Sequence, residues 1–192
     1  LVLSDYAKGV LTDALCHRLL AAAPALGLPV LVDPKGRDFA KYAGASLITP
    51  NRAELALTTG VPREDLAGLL QAATTLRGEL DLGLLVLTLS ELGLALVDGS
   101  GTRRIPALAR EVFDVSGAGD TVIATFAAGL AAGLGASDTA HLANLAAGVV
   151  VGKVGTVPIT GPELLAAISG EMALQQAAKI LDLAAAQARV QG

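Results

Sequence analysis

The sequence has no tryptophan, one cysteine and one methionine, and aromatic residues make up only 3% of its 192 positions. A lone cysteine, Cys16, excludes a disulfide framework and any zinc site built from cysteines. With aromatics this scarce, the core has to be assembled from Ala, Leu and Val. Charge is also thin, at 17% of residues with a net of −4, and an acidic balance argues against a nucleic-acid-binding surface. No apolar run is long enough for a membrane. The longest uncharged stretch, near Val122 to Leu134, falls short of the roughly 20 residues a spanning helix needs, and it carries Thr125, Gly129 and Gly133. No basic segment, apolar segment and cleavage site open the chain as a secretory signal. It starts without Met, inside what reads as a strand, so the natural N-terminus is expected upstream.

What the chain does have is 53% hydrophobic residues, a mean hydropathy of +0.59 and 22 glycines. That supports a sizeable buried core and excludes disorder. Leu1 to Ser4 reads as a strand closing on Asp5-Tyr6-Ala7-Lys8-Gly9, and a helical pattern follows from Val10 to Leu26. Val30 to Val32 is an apolar strand ending at Asp33-Pro34-Lys35-Gly36, and Ser46 to Thr49 is a third, stopped by Pro50. Strand, helix, strand with polar residues at each strand's end is the pattern of a parallel sheet. Asn51 can cap the next helix with Glu54 at its third position, a variant of the capping box. A helix is expected from Pro62 to Arg77, a buried strand over Leu84 to Leu87, and a hairpin of Leu94 to Val97 with Thr102 to Ile105 around Asp98-Gly99-Ser100-Gly101. Two Ala/Gly-rich helices follow, Ala118 to Gly133 and Ser137 to Val151, then a short one over Pro162 to Ile168. Beyond a break at Gly170, Glu171 to Arg189 is helical and reads as a linker. The alternation predicts a doubly wound α/β fold with ligands at the strand C-termini.

The segment Asp114-Val115-Ser116-Gly117-Ala118-Gly119-Asp120-Thr121 combines three chemical requirements. Gly117 and Gly119 let backbone approach a ligand. The apolar run beyond Asp120 starts a helix, so free N–H groups and the positive dipole end face this loop, an anion hole suited to a phosphoryl group. Asp120 lies in the first turn, where a carboxylate can take a proton from an attacking hydroxyl. It reads equally as an ordinary helix-start acid, with glycines that only permit tight packing. Two rivals fail on spacing. Gly117 to Val122 lacks the third glycine of a dinucleotide fingerprint, and Gly148 to Val154 lacks one residue of a P-loop and the Ser/Thr after its Lys153.

The Asp114 to Thr121 segment resembles the C-terminal signature of the ribokinase-like carbohydrate kinases. Asn51 and Glu54 are similar to that family's N-x-x-E motif, and Thr88 to Gly93 resembles its nucleotide loop. Ser4-Asp5-Tyr6-Ala7-Lys8-Gly9, Asp33-Pro34-Lys35-Gly36, Thr49-Pro50-Asn51 and Ala147 to Thr156 look like the heptose-7-phosphate kinase branch. The resemblance covers residues 1–170, as the C-terminal part of a ribokinase-like doubly wound domain with helices on both faces. Residues 171–192 resemble the linker that precedes a nucleotidyltransferase domain in bifunctional members. The family's N-terminal half, with its sugar-binding segment and lid, is missing, so the piece alone is expected to show little activity.

The resemblance implies ATP-dependent phosphorylation of D-glycero-D-manno-heptose 7-phosphate at its anomeric hydroxyl, for nucleotide-activated heptose in lipopolysaccharide. Another ribokinase-like sugar or nucleoside kinase is the neighbouring reading, and a non-catalytic nucleotide-binding or assembly fragment is the one of a different class. It implies Asp120 as base, with the Gly117, Ala118 and Gly119 amides stabilising the transferring phosphoryl group. ATP contacts fall to Asn51, Glu54, Lys35, Thr88, Ser90, Gly93 and Asn144, the last on the helix lining the adenine pocket. Glu54 with Asn51 would organise Mg²⁺ through water. Asp114 would help hold a monovalent cation, K⁺, with carbonyls near Val150 and Gly155. Structural alternatives stay open: a plain capping pair for Asn51 and Glu54, a solvated loop lysine for Lys35, a tight turn for Thr88 to Gly93, and a brace for Asp114. Asp5, Tyr6 and Lys8 fall on the ligand-facing side, as phosphate contacts or as loop structure. His17 and His141 lack a second ligand one helical turn away, and Cys16 reads as a small core residue. The expected partners are a sugar phosphate and ATP, in a cytoplasmic enzyme that is a homodimer when complete, without nucleic acid or membrane.

Overall fold

The computed structural model describes residues 1–107 and 115–173. Asp114 and most of the expected linker, residues 174–192, lie outside the described residues. Six strands form one sheet in sequence order: β1 (Val2–Ser4), β2 (Leu31–Asp33), β3 (Leu47–Ile48), β4 (Leu84–Thr88), β5 (Leu94–Asp98) and β6 (Gly101–Ile105). The first four are parallel, with Val2 opposite Leu31, Leu31 opposite Leu47 and Leu47 opposite Leu84. The expected hairpin supplies the antiparallel pairs β4–β5 and β5–β6.

Alternation along the strands sorts side chains onto two faces, each covered by helices. Val32, Ile48, Leu85, Leu87, Ala95 and Val97 share one cluster with Cys16, Leu55, Leu69 and Ala73 of α1 (Asp13–Ala22), α2 (Arg52–Thr59) and α3 (Leu66–Glu79). Their strand neighbours Leu31, Leu47, Leu84, Val86, Leu94 and Leu96 share the other with Val122, Phe126, Ala140 and Ala143 of α4 (Ala118–Ala131) and α5 (Ala136–Val150). Small residues let α4 and α5 close on each other. A Cβ at Gly129 would lie 2.7 Å from Thr139 Cγ2. None of the helices among the described residues is long and apolar enough to cross a membrane.

Three helix boundaries differ from the sequence expectation. α1 ends at Ala22 because Pro24 cannot donate, and the chain passes into a short 3-10 turn over Pro24–Leu26. α3 begins at Leu66, not at Pro62. Asp65 Oδ1 accepts the Gly68 N–H at 2.9 Å and caps the helix there, while the Pro62 carbonyl closes the preceding turn. The break expected at Gly170 is absent: a sixth helix, α6, covers 161–173. One glycine costs a helix about 1 kcal/mol, which the surrounding Ala, Leu and Glu residues absorb.

Gly93 leads the chain from β4 into β5 with φ +88° and ψ −132°. A Cβ there would stand 2.1 Å from the Ile105 carbonyl oxygen and 2.5 Å from the Ala107 nitrogen. Gly93→Ala is expected to cost about 3 kcal/mol or more through combined backbone strain and clash. Urea titration checks it, and an unchanged midpoint would contradict this account.

Candidate active site

The parallel strands all deliver their carboxyl ends to one edge of the sheet. Asp5 follows β1, Asp33 closes β2, Thr49, Pro50 and Asn51 follow β3, and Thr88 closes β4. The Thr88 N–H donates to the Pro50 carbonyl at 2.9 Å, and Asn51 bridges to Thr88. Asn51 and Glu54 form the expected capping box. Asn51 Oδ1 accepts the Glu54 N–H, and Glu54 Oε2 accepts the Asn51 N–H, both at 2.9 Å. The other Glu54 oxygen accepts from Lys35 Nζ at 2.7 Å, with the Glu54 side chain only 11% exposed. That hydrogen bond raises the Lys35 ammonium above the ordinary lysine range despite partial burial.

Asp33 is half-buried beside this pair. Burial first, then the negative charges of Glu54 and Asp120, push its carboxyl up to about 6, against the opposing pull of Lys35 and the Thr49 hydroxyl. Three carboxylates therefore share the strand edge with Lys35.

α4 packs against β1 and β2 and brings its N-terminus to the same edge. Its N-cap is Gly117, with φ +80° and no side chain to fill the first-turn donors. Thr121 donates back to the Gly117 carbonyl through both its N–H, at 2.9 Å, and its hydroxyl, at 2.7 Å. The Ala118 N–H, expected to face a phosphoryl group, donates instead to the Val115 carbonyl at 3.3 Å, so the open part of this helix start is the Gly119 and Asp120 amides, the arrangement an anion takes. Asp120 is exposed, and the Tyr6 hydroxyl donates to its Oδ1 at 3.2 Å.

Asp5 lies beneath the site rather than in it. Its carboxylate is buried and accepts from Tyr42 Oη and Lys41 Nζ, each at 2.6 Å, and from the Ala7 N–H at 2.7 Å. Burial alone would raise this group; the hydrogen bonds from Lys41, Tyr42 and Ala7 outweigh it and hold the carboxyl below the usual range. The sequence named Asp5 but missed Tyr42 and Lys41, which lie 37 and 36 positions from it and carry no local signal of the contact. The Arg52–Glu91 pair, at 2.9 Å, was equally illegible; it joins the start of α2 to the turn after β4.

Other expected residues are placed as follows. Thr88 reaches the strand edge, while Ser90 and Gly93 form a tight turn in which the Gly93 N–H donates to the Ser90 carbonyl at 3.0 Å. Asn144 is buried, and its Nδ2 donates to the Pro106 carbonyl at 2.8 Å, tying α5 to the end of β6. Lys8 is exposed with its ammonium 6.0 Å from the Tyr6 ring centre. Cys16 is a fully buried free thiol. Lys153, of the rejected P-loop segment, pairs with Glu163 at 2.7 Å, and Gly148 lies inside α5.

Residues 1–161 match the family described as pfkB family carbohydrate kinase. The chain belongs to the pfkB carbohydrate kinases. It is 57% identical over 191 residues to the bifunctional protein HldE of Magnetococcus marinus, and 52% identical over 191 residues to that of Methylobacillus flagellatus. These alignments cover 99% and 100% of the chain, which spans 39% of the length of each of these relatives. The fold is similar to Arabidopsis thaliana ribokinase in complex with ribose and ATP, with TM-score 0.74 and 24% identity over 86% of this chain and 54% of that one. It is likewise similar to Escherichia coli phosphofructokinase-2, with TM-score 0.78 and 18% identity over 88% of this chain and 55% of that one.

The oxygen donors at this strand edge suit Mg²⁺, a hard cation that keeps several waters and is shared with phosphates. Among the described residues no three Asp, Glu, His or Cys side chains converge into a protein-only metal cage. A carboxylate reaching the ion through water is the arrangement these residues fit, with Glu54 as the holder and an unfavourable concentration of negative charge around Asp33 to be relieved.

That concentration has a measurable sign. In the folded chain Asp33 keeps a proton that the unfolded chain releases near 3.8, so its contribution to stability falls as pH rises from 3.8 to about 6. Asp33→Asn is expected to stabilise the nucleotide-free chain at pH 7 by ~1–2 kcal/mol after allowance for solvent screening, and hardly at all at pH 4. Thermal melts across that range check it; a gap that does not widen with pH would contradict the raised Asp33 carboxyl.

Proposed function

We propose that the chain is part of a kinase that transfers the γ-phosphoryl group of ATP to the anomeric hydroxyl of D-glycero-D-manno-heptose 7-phosphate, giving the 1,7-bisphosphate. Membership of the pfkB family supports a sugar kinase. The identity with bifunctional HldE proteins, and the Ser4 to Gly9 and Asp33 to Gly36 segments, support the heptose branch. The name "bifunctional" of those relatives also supports reading residues 1–170 as kinase domain and 171–192 as a connection to a nucleotidyltransferase.

The observation that carries this reading is an exposed Asp120 on the open, glycine-capped start of α4, facing the ends of β1 and β2. Asp120 accepts the proton of the sugar hydroxyl as that oxygen forms its bond to the γ-phosphorus and the bond to the departing ADP breaks. The Gly117–Gly119 backbone stabilises negative charge on the phosphoryl oxygens. Lys35 contributes a positive charge that can face phosphate, with Glu54 fixing its reach. Glu54 with Asn51 would hold Mg²⁺ through water, and the ion would supply further neutralisation of phosphate charge. Thr88 borders the nucleotide.

Asp120→Asn in the full-length protein is expected to lower turnover by about 10²–10⁴-fold, the usual cost of losing a general base, while calorimetry shows ATP still binding. Retained turnover would overturn the assignment of the base. A panel of heptose 7-phosphate, ribose, fructose 6-phosphate and adenosine tests the acceptor, and preference for any of the last three would replace the heptose reading.

A further inference from the structure

Asp120 stands exposed in the first turn of α4. Among the described residues its one hydrogen-bond donor comes from 114 positions away: the Tyr6 hydroxyl, 3.2 Å from Oδ1 and 3.4 Å from Oδ2. Tyr6 is in turn fixed from behind. The Asp5 carboxylate accepts the Ala7 N–H at 2.7 Å and so closes a turn with Tyr6 at its centre, and Ala7 takes the left-handed conformation, φ +54°, that this turn requires. The same Asp5 is anchored in the core by Tyr42 and Lys41. A chain of contacts therefore runs from a buried carboxylate, through the Tyr6 turn, to the exposed carboxylate on α4.

We propose that Tyr6 is the positioning residue for Asp120, its O–H holding the carboxylate in the orientation from which it takes the acceptor sugar's proton. The inference rests on Asp120 being the base. A carboxylate offers about four lone-pair sites, and one hydroxyl shared between its two oxygens leaves room for a substrate O–H. A phenol also suits the task chemically. It is a neutral donor, so it directs the carboxylate without neutralising it as an ammonium would. The geometry could also serve the opposite purpose, with Tyr6 occupying the place of the substrate hydroxyl, and the two purposes differ in sign.

The test is Tyr6→Phe in the full-length protein, assayed with ATP and the acceptor sugar selected by the substrate panel. The ring and its contact with Lys8 remain, and at 58% exposure the hydroxyl contributes little to folding. The expected result is a fall in kcat of about tenfold, the value of one hydrogen bond to a charged group, with KM for ATP and the thermal midpoint unchanged. In an Asp120→Asn background the same substitution should cause no further loss, because its partner is already removed. An unchanged kcat, a raised kcat, or an equal loss in both backgrounds would overturn the proposal. Turnover that survives Asp120→Asn alone would instead overturn the base assignment, so the two failures are distinguishable.

Discussion

Parallel pairing of β1 to β4 is the constraint from which the rest of the molecule follows. Parallel strands cannot be joined by tight turns, so each connection crosses the sheet face and returns: α1 between β1 and β2, a segment with the 3-10 turn Ala40–Tyr42 between β2 and β3, and α2 with α3 between β3 and β4. Every strand then ends at the same edge, and residues far apart in sequence, Asp5, Asp33, Asn51 and Thr88, become neighbours there. The same arrangement buries both faces, which is why the strands read as nearly continuous Leu and Val and the hydropathy is high. α4 and α5 close the second face largely with Ala, Val122 and Ile123, with Phe126 as the buried ring of α4. Because α4 runs beneath β1 and β2, its N-terminus arrives at the strand edge as well.

Charge at that edge is arranged in two tiers. The buried tier is complete in itself: Asp5 has three donors, and its low carboxyl shows them outweighing the cost of burial. The outer tier is not. Glu54 and Asp33 lie beside Lys35 with Asp120 nearby, and burial first, then the charges of Glu54 and Asp120, raise the Asp33 carboxyl. A site in that condition favours an incoming cation, while the helix start beside it favours an anion. A metal bound to phosphates answers both demands.

Local signals in the sequence were sufficient for the order of the elements and for most caps and turns. The apolar strands, the Asn51–Glu54 box, the Asp98 to Gly101 hairpin turn and the glycine-capped start of α4 all depend on residues within a few positions of one another, and each formed as read. Helix starts competed with nearby caps, as Asp65 did with Pro62, and the effect of Gly170 was smaller than the helix propensity around it. Contacts made across the sheet carry no such local mark. The Lys35–Glu54 pair, the Asp5–Tyr42–Lys41 node and the reach of Tyr6 to Asp120 exist only because the strands lie side by side. The Asn144 Nδ2 to Pro106 carbonyl bond, which ties α5 to the end of β6, is another such contact without a local mark.

The most direct measurement of the central claim, that this edge is the phosphoryl-transfer site, is a crystal structure of the full-length protein with Mg²⁺ and a non-hydrolysable ATP analogue. The account predicts the terminal phosphate against the Gly117–Asp120 amides, with the Asp120 carboxylate facing it and Lys35 and Glu54 on the metal–phosphate side. Nucleotide bound away from the carboxyl ends of β2 to β4 and the start of α4 would contradict it.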